Sequence, residues 1–408
     1  MDETPQQPKS NNSMIRLIVT TILIFIFISI GTVIAILYAR GYRINDRTII
    51  AGTGLVVFTS SPDGARVLIN GHFTTATNNT LNLAPGNYNI RIEKDGYFPW
   101  TKYIIVRNER VTEANATLFP IAPQLDSVTI SGATNPVIDP SGTLIAYTTS
   151  ASLTQNSGIY ILNMNAKPIL SLGGLNTQIT DDSLDKFSTS LLSFSPDGTQ
   201  LIASVSGDLG TTQYLISPNG FNQNPSDITA TFSQTQSAWQ QESIDRQKKL
   251  LDSLPIKVRT LATKYFSNMS YSPEQSRIFY VASVSATLPL LKNPQPISVN
   301  STPENRSIKE GSAYVYDVED DRNYLLYAKE SGKTLPHFVW DPDSSHLIFV
   351  IDKTINIIEY DGQNKTTVYA GPFVDDYVYP WPDGSSIVIL TNLNIPGVPN
   401  NLYRIGLK

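Results

Sequence analysis

Three histidines and three acidic clusters are the first places to look for chemistry in this chain. His337 and His346 stand on either side of one expected turn, where a strand–turn–strand unit could bring their rings together. No carboxylate is obviously placed to orient either ring, as acid–base work or metal binding would need. His72 has no acid and no second histidine nearby, so it reads as a surface turn residue. Asp181-Asp182, Glu319-Asp320-Asp321 and Asp375-Asp376 lack the spacing of a calcium loop and read as solvated turns. Cysteine is absent, which removes disulfides, thiol nucleophiles and thiolate metal ligands together. There is no strand–Gly-x-Ser-x-Gly elbow, no glycine-rich phosphate loop and no dinucleotide fingerprint. No catalytic, cofactor-binding or metal-binding residue is therefore assigned, and the chain is expected not to be an enzyme. The remaining candidate is aromatic. Tyr97, Phe98 and Trp100 either close a small core or form a platform on which a sugar or peptide could stack.

Those rings sit in a run of short strands and obligatory turns. Pro62-Asp63-Gly64 makes a turn, 65–69 a strand, and Asn70-Gly71 a two-residue hairpin. Pro85-Gly86 launches the alternating strand 87–93. There Tyr88, Ile90 and Ile92 face one way, and Asn87, Asn89, Arg91 and Glu93 the other. Asp95-Gly96 turns again, before a last strand at 103–106. The ordered motifs Pro62-Asp63-Gly64-Ala65, Asn70-Gly71, Pro85-Gly86 and Lys94-Asp95-Gly96-Tyr97 resemble the PEGA domain, with Asp63 where the family usually has Glu. The resemblance implies a small β-sandwich over 54–119 and a bacterial cell-envelope setting.

Residues 17–38 carry no charge and are long enough to cross a bilayer as a helix. The run is longer than the apolar part of a signal peptide, and no small-x-small cleavage site follows it. It reads as a single-pass anchor, with 1–16 as a cytoplasmic tail and 39–53 as a linker. The flanking basic residues lean slightly against an exported C-terminus, but long domains cross largely regardless of them. The PEGA resemblance favours a body outside the cytoplasm. Charged residues are 16% and the net charge is −5, so no nucleic-acid partner is expected.

From 120 to 408 a second pattern recurs: apolar strand, Pro-centred turn, apolar strand. The turn prolines are Pro140, Pro196, Pro273, Pro342 and Pro382. Proline presets φ at the first corner, Asp or Ser holds the turn, and Gly accepts positive φ. Self-similarity at roughly 40 residues is the mark of propeller blades, each a four-stranded sheet. These repeats resemble TolB-like propellers. Five blades are expected, or six if a degenerate one hides in a longer gap. Two insertions interrupt the pattern: 236–266 takes helical spacing and splits before Pro255, and 289–309 reads as an exposed loop. The helical pair either docks a partner or covers an apolar edge. The last repeat lacks a fourth strand, and 125–131 is a strand without a sheet, so the two are expected to pair.

The fold is thus mainly β: an N-terminal transmembrane helix, a PEGA-like sandwich and a propeller with a helical insertion. The function expected is non-catalytic binding or scaffolding in the cell envelope, with an envelope protein or cell-wall glycan as partner and the membrane engaged through 17–38. The alternatives are an extracytoplasmic sensor, or a propeller hydrolase or lyase acting on envelope glycans.

Overall fold

The computed structural model describes residues 12–39, 43–45, 48–151, 156–165, 175–208, 210–374 and 377–408. Residues 1–11 of the expected cytoplasmic tail and the cluster Asp375-Asp376 lie outside the described residues. The chain divides into two compact units. The first is Met1–Ile92, Thr101–Ala116 and Val299–Ser301. The second is Glu93–Trp100, Thr117–Ser298 and Thr302–Lys408. Glu93–Trp100 and 117–119, which lie inside the expected 54–119 domain, group with the second unit.

In the first unit, Asn12–Ala39 is one helix. Its span Ile15–Tyr38 has a mean hydropathy of 2.8 and none of it is buried, so it is long and apolar enough to cross a membrane. The hydroxyls of Thr20, Thr21 and Thr32 donate to carbonyls one turn back, which satisfies them without water. The linker holds a short pair, Arg43–Asn45 with Thr48–Ala51. Two antiparallel sheets follow. One sets Gly54–Ser61 between Asn79–Leu83 and Val111–Thr117. The other runs His72–Ala76, Arg66–Ile69, Gly86–Glu93 and Trp100–Val106. Both bury alternate apolar residues: Val56 and Phe58 from the first, Val67, Ile90, Ile92 and Ile104 from the second. Asn87, Asn89 and Arg91 stay exposed, as the alternation requires. Asn70 and Gly71 take φ of 52° and 83° between the paired residues Ile69 and His72, the two-residue turn expected there.

Among the described residues, the second unit contains five four-stranded antiparallel sheets. The first runs Thr134–Ile138, Leu144–Thr149, Gly158–Asn163, Asn176–Asp181. The second runs Leu191–Phe194, Leu201–Gly207, Gly210–Ile216, Ser226–Asp227. The third runs Phe266–Tyr271, Arg277–Ala282, Ala313–Asp317, Arg322–Tyr327. The fourth runs Phe338–Trp340, His346–Ile351, Thr354–Glu359, Thr366–Tyr369. The fifth orders Val378–Pro380, Ser386–Thr391 and Asn401–Gly406, and Leu125–Ser127 completes it. The expected pairing is present, with Leu125 opposite Ile405 and Ser127 opposite Tyr403, in a strand shorter than the 125–131 anticipated.

All five Pro-centred turns are built the same way. Asp139, Ser195, Ser272, Asp341 and Trp381 each precede the proline, and each carbonyl accepts the N–H three residues on. Each of these residues also donates its own N–H to the carbonyl five residues on. The third residue after each takes positive φ: Gly142 (71°), Gly198 (73°), Gln275 (57°), Ser344 (59°) and Gly384 (64°). This is a tight turn closed by a left-handed residue, which explains the preference for Gly there.

Apolar clusters join first sheet to second, third to fourth, fourth to fifth, and fifth to first. The other face of the third sheet is different. Ile278, Tyr280, Tyr314 and Tyr316 pack on Leu254, Val258, Leu261 and Ala262, and this cluster draws no described residue from the second sheet. The insertion forms two helices, Phe232–Ser253 and Ile256–Tyr265, broken at an extended Leu254 before Pro255. It starts earlier than the expected 236, and Phe266 already opens a strand. The second helix covers an apolar face. The first buries no residue, and its Ile244 is half exposed.

The segment 289–309 is largely irregular with many exposed residues, as expected, but it is tethered. Ser298, Thr302 and Ile308 are buried, and Ala286–Thr287 pairs with Ser307–Ile308 at its base. Asp321 holds it. This carboxylate is fully buried and accepts from the N–H groups of Leu291 and Lys292 (2.7 and 2.8 Å), from the Tyr316 hydroxyl (2.7 Å) and from Arg306 (3.1 Å). Burial alone would raise its pKa, but these donors outweigh it and hold the carboxyl below its ordinary value. The reading of Glu319-Asp320-Asp321 as a solvated turn therefore fails at Asp321.

Candidate functional site

The aromatic candidates separate once placed. Trp100 is 3% exposed, and its Nε1 donates to Glu359 in the fourth sheet. It belongs to the core of the second unit and offers no face to a ligand. Phe98 packs with Phe119, Ile348 and Ile387, and Tyr97 is half-buried in a bridge to Pro120. The void between Phe98, Trp100, Phe119 and His346 is about 10 Å³, near the size of one water. A stacking site at Tyr97, Phe98 and Trp100 is not what the packing builds.

His346 lies beside that void, 5% exposed. Its Nδ1 is 2.5 Å from Asp343 Oδ2, so a carboxylate does orient this ring, against the expectation of none. The sequence could have shown it, because Asp343 stands at the turn corner that folds back over His346. Glu359 lies opposite His346 in the ladder, and Phe119 meets its ring edge-on at 5.5 Å. His337 is exposed elsewhere, so the two histidines make no pair. Burial would lower the His346 pKa, yet the bond and charge of Asp343, then Glu359 and Asp341, raise it overall. Asp341 is pushed up to about 6, first by burial and then by Asp343. Asp343 is held low despite burial, by its bond to His346.

These shifts make a pH prediction. Both raised groups favour folding in their protonated forms. Their contribution is full below the unfolded values and is lost as pH rises through the folded ones. The Asp343 contribution is lost only in strong acid. The second unit is expected to melt higher at pH 5 than at pH 8, and His346→Gln should shrink that difference. A variant keeping the full wild-type difference in a melting series would show that His346 does not carry it.

The open concavity lies at the other end of the fourth sheet's hairpin. It holds about 780 Å³ between Val339, Val350 and Ile351 of that sheet, Val378 of the fifth, and the connection carrying Lys333 and His337. A second cleft of about 360 Å³ is lined by Asn392, Asn394 and Asn400. Lys353 lines both. It occupies the two-residue turn Asp352-Lys353, with φ of 49° and 56°, between the paired residues Ile351 and Thr354. Such a turn favours Gly at its second corner, so Lys here costs backbone strain of about 1–2 kcal/mol. Lys353 is not among the candidate residues read from the sequence. Its signal was present: two apolar strands separated by two residues, Asp-Lys, where Asp-Gly is usual.

Residues 53–121 match the PEGA domain family profile. No curated protein matches the chain. Among solved structures it is similar to the putative TolB from Agrobacterium tumefaciens, at 13% identity and a TM-score of 0.21, over 68% of this chain and 74% of that one. It is also similar to TolB from Acinetobacter baumannii, at 13% identity and a TM-score of 0.24, over 79% of this chain and 60% of that one. At these values the likeness to the two TolB structures carries no conclusion about activity or partners, and the PEGA match describes residues 53–121 alone.

Proposed function

We propose that this chain is a non-catalytic binding protein of the cell envelope. Its N-terminal helix anchors it in a membrane, and everything beyond Arg40 lies outside the cytoplasm. The five sheets of the second unit form a propeller closed by Leu125–Ser127, with helix Ile256–Tyr265 packed on the third sheet. The cleft beside Lys353 carries the reading. It is open and floored by half-buried valines and isoleucine, and no described side chain bonds to His337, the one imidazole on its wall. That surface suits a partner better than a reaction.

The cysteine-free chain allows a direct test. His337→Cys and Asp383→Cys proteins, in intact spheroplasts, are expected to react with a membrane-impermeant maleimide. Solubilised envelope material should then protect position 337 and leave position 383 reactive. Labelling only after lysis would sink the topology, and equal reactivity at both sites would sink the cleft.

A further inference from the structure

We propose that the cleft takes an extended acidic peptide segment and that Lys353 holds its carboxylate. This rests on reading the cleft as a partner site. Two sheet ends meet there. Phe338–Trp340 is the terminal strand of the fourth sheet and Val378–Pro380 that of the fifth, each pairing on one side only. Val339 and Val378, from the middle and start of these strands, both line the cleft. An extended chain laid between them meets main-chain groups that the sheets leave over, the usual way a peptide joins a sheet edge. Val350 and Ile351 supply an apolar floor for its alternate side chains.

Charge then selects the peptide. On a chain of net charge −5, this rim carries two lysines, Lys333 and Lys353, and one acid, Asp352. Lys333 is engaged by Glu330 at 2.6 Å. No described side chain or carbonyl bonds the Lys353 amine, and the turn that presents it keeps a strained residue where Gly would sit better. Beyond Lys353 the smaller cleft offers three asparagine amides, which can both donate to and accept from a peptide backbone.

The test uses the full chain in detergent micelles and fluorescein-labelled eight-residue peptides with valines at alternate positions. The intervening residues are Asp and Glu in one peptide, Asn and Gln in the second, Lys in the third. A hyaluronan oligosaccharide is the anionic glycan probe. The acidic peptide is expected to bind roughly tenfold more tightly than the amide peptide, with affinity falling as salt rises. Lys353→Gln should erase that preference. Lys353→Gly should erase it too while melting no lower than wild type, which separates charge loss from misfolding. Equal binding of acidic and amide peptides, lost in Val378→Asp, would overturn the carboxylate assignment and leave the cleft as a partner site. Oligosaccharide binding that depends on Lys353, without peptide binding, would overturn the peptide. Binding of no probe would overturn the proposal and remove support for the cleft itself.

Discussion

Replacing residues 124–128 with a Gly-Ser stretch of equal length is expected to lower the melting temperature of the whole second unit by about 10 °C. The segment is short, but what it completes is not local. Leu125 packs among Ile387, Ile405 and Phe119, and Leu125–Ser127 covers the open edge of Asn401–Gly406. Val128 N–H donates to Leu402 (2.8 Å), and Gly406 N–H donates to Gln124 (2.9 Å). Losing the ladder and the leucine costs roughly 3–5 kcal/mol. The Arg404–Asp126 contact at 3.3 Å is exposed on both sides, so Arg404→Ala should cost less than about 1 kcal/mol. Calorimetry of the two proteins decides the matter. A melt that moves no more than that of Arg404→Ala would mean that the strand pairing contributes little.

Trp100→Ala is expected to destabilise the second unit by about 3–5 kcal/mol, the range for truncating a buried aromatic residue. Trp100→Phe keeps most of the packing and removes the Nε1 donor. Glu359 is 6% exposed and would lose this donor while keeping Asn364 at 3.0 Å, at a cost of about 1–3 kcal/mol. Glu359→Gln combined with Trp100→Phe should cost less than the sum of the two, because both act on one bond. Denaturant titration of the single and double variants measures this. Were Trp100 a ligand platform, Trp100→Ala would leave the midpoint near wild type.

The hairpins were legible in the sequence because their chemistry is local. Pro, Asp and Gly act within five residues of one another, and the five turns share one hydrogen-bond pattern. Gln275 and Ser344 show the tolerance of the pattern, since both take the left-handed conformation without being Gly. The open edge of the last sheet was legible by counting strands. Burial of polar groups was not. Asp321 looks like the end of an acidic turn, and its donors come from Leu291, Lys292 and Arg306, which no spacing rule links to it. The same reason hid the tethering of 289–309. Trp100 was ambiguous because an aromatic cluster has one composition whether it faces water or Glu359. The cleft was invisible because it is made by the ends of two sheets, and only Lys353 left a trace, as a turn with the wrong residue.

The pairing of Leu125–Ser127 with the last strand also sets an order in time. Asp126 and Arg404 are 278 residues apart in the chain, so the first strand of this unit waits for nearly the last residues to appear. A chain synthesised from its N-terminal side would complete the earlier sheets one after another while the fifth stayed incomplete. Through that interval the edge of Ser386–Thr391, buried at every position in the finished fold, has no partner. Contacts this distant are slow to form, and an uncovered apolar strand is prone to wrong pairings. Folding of this unit therefore passes through a vulnerable period that lasts until residues 401–406 appear, and a chaperone would matter most at that stage.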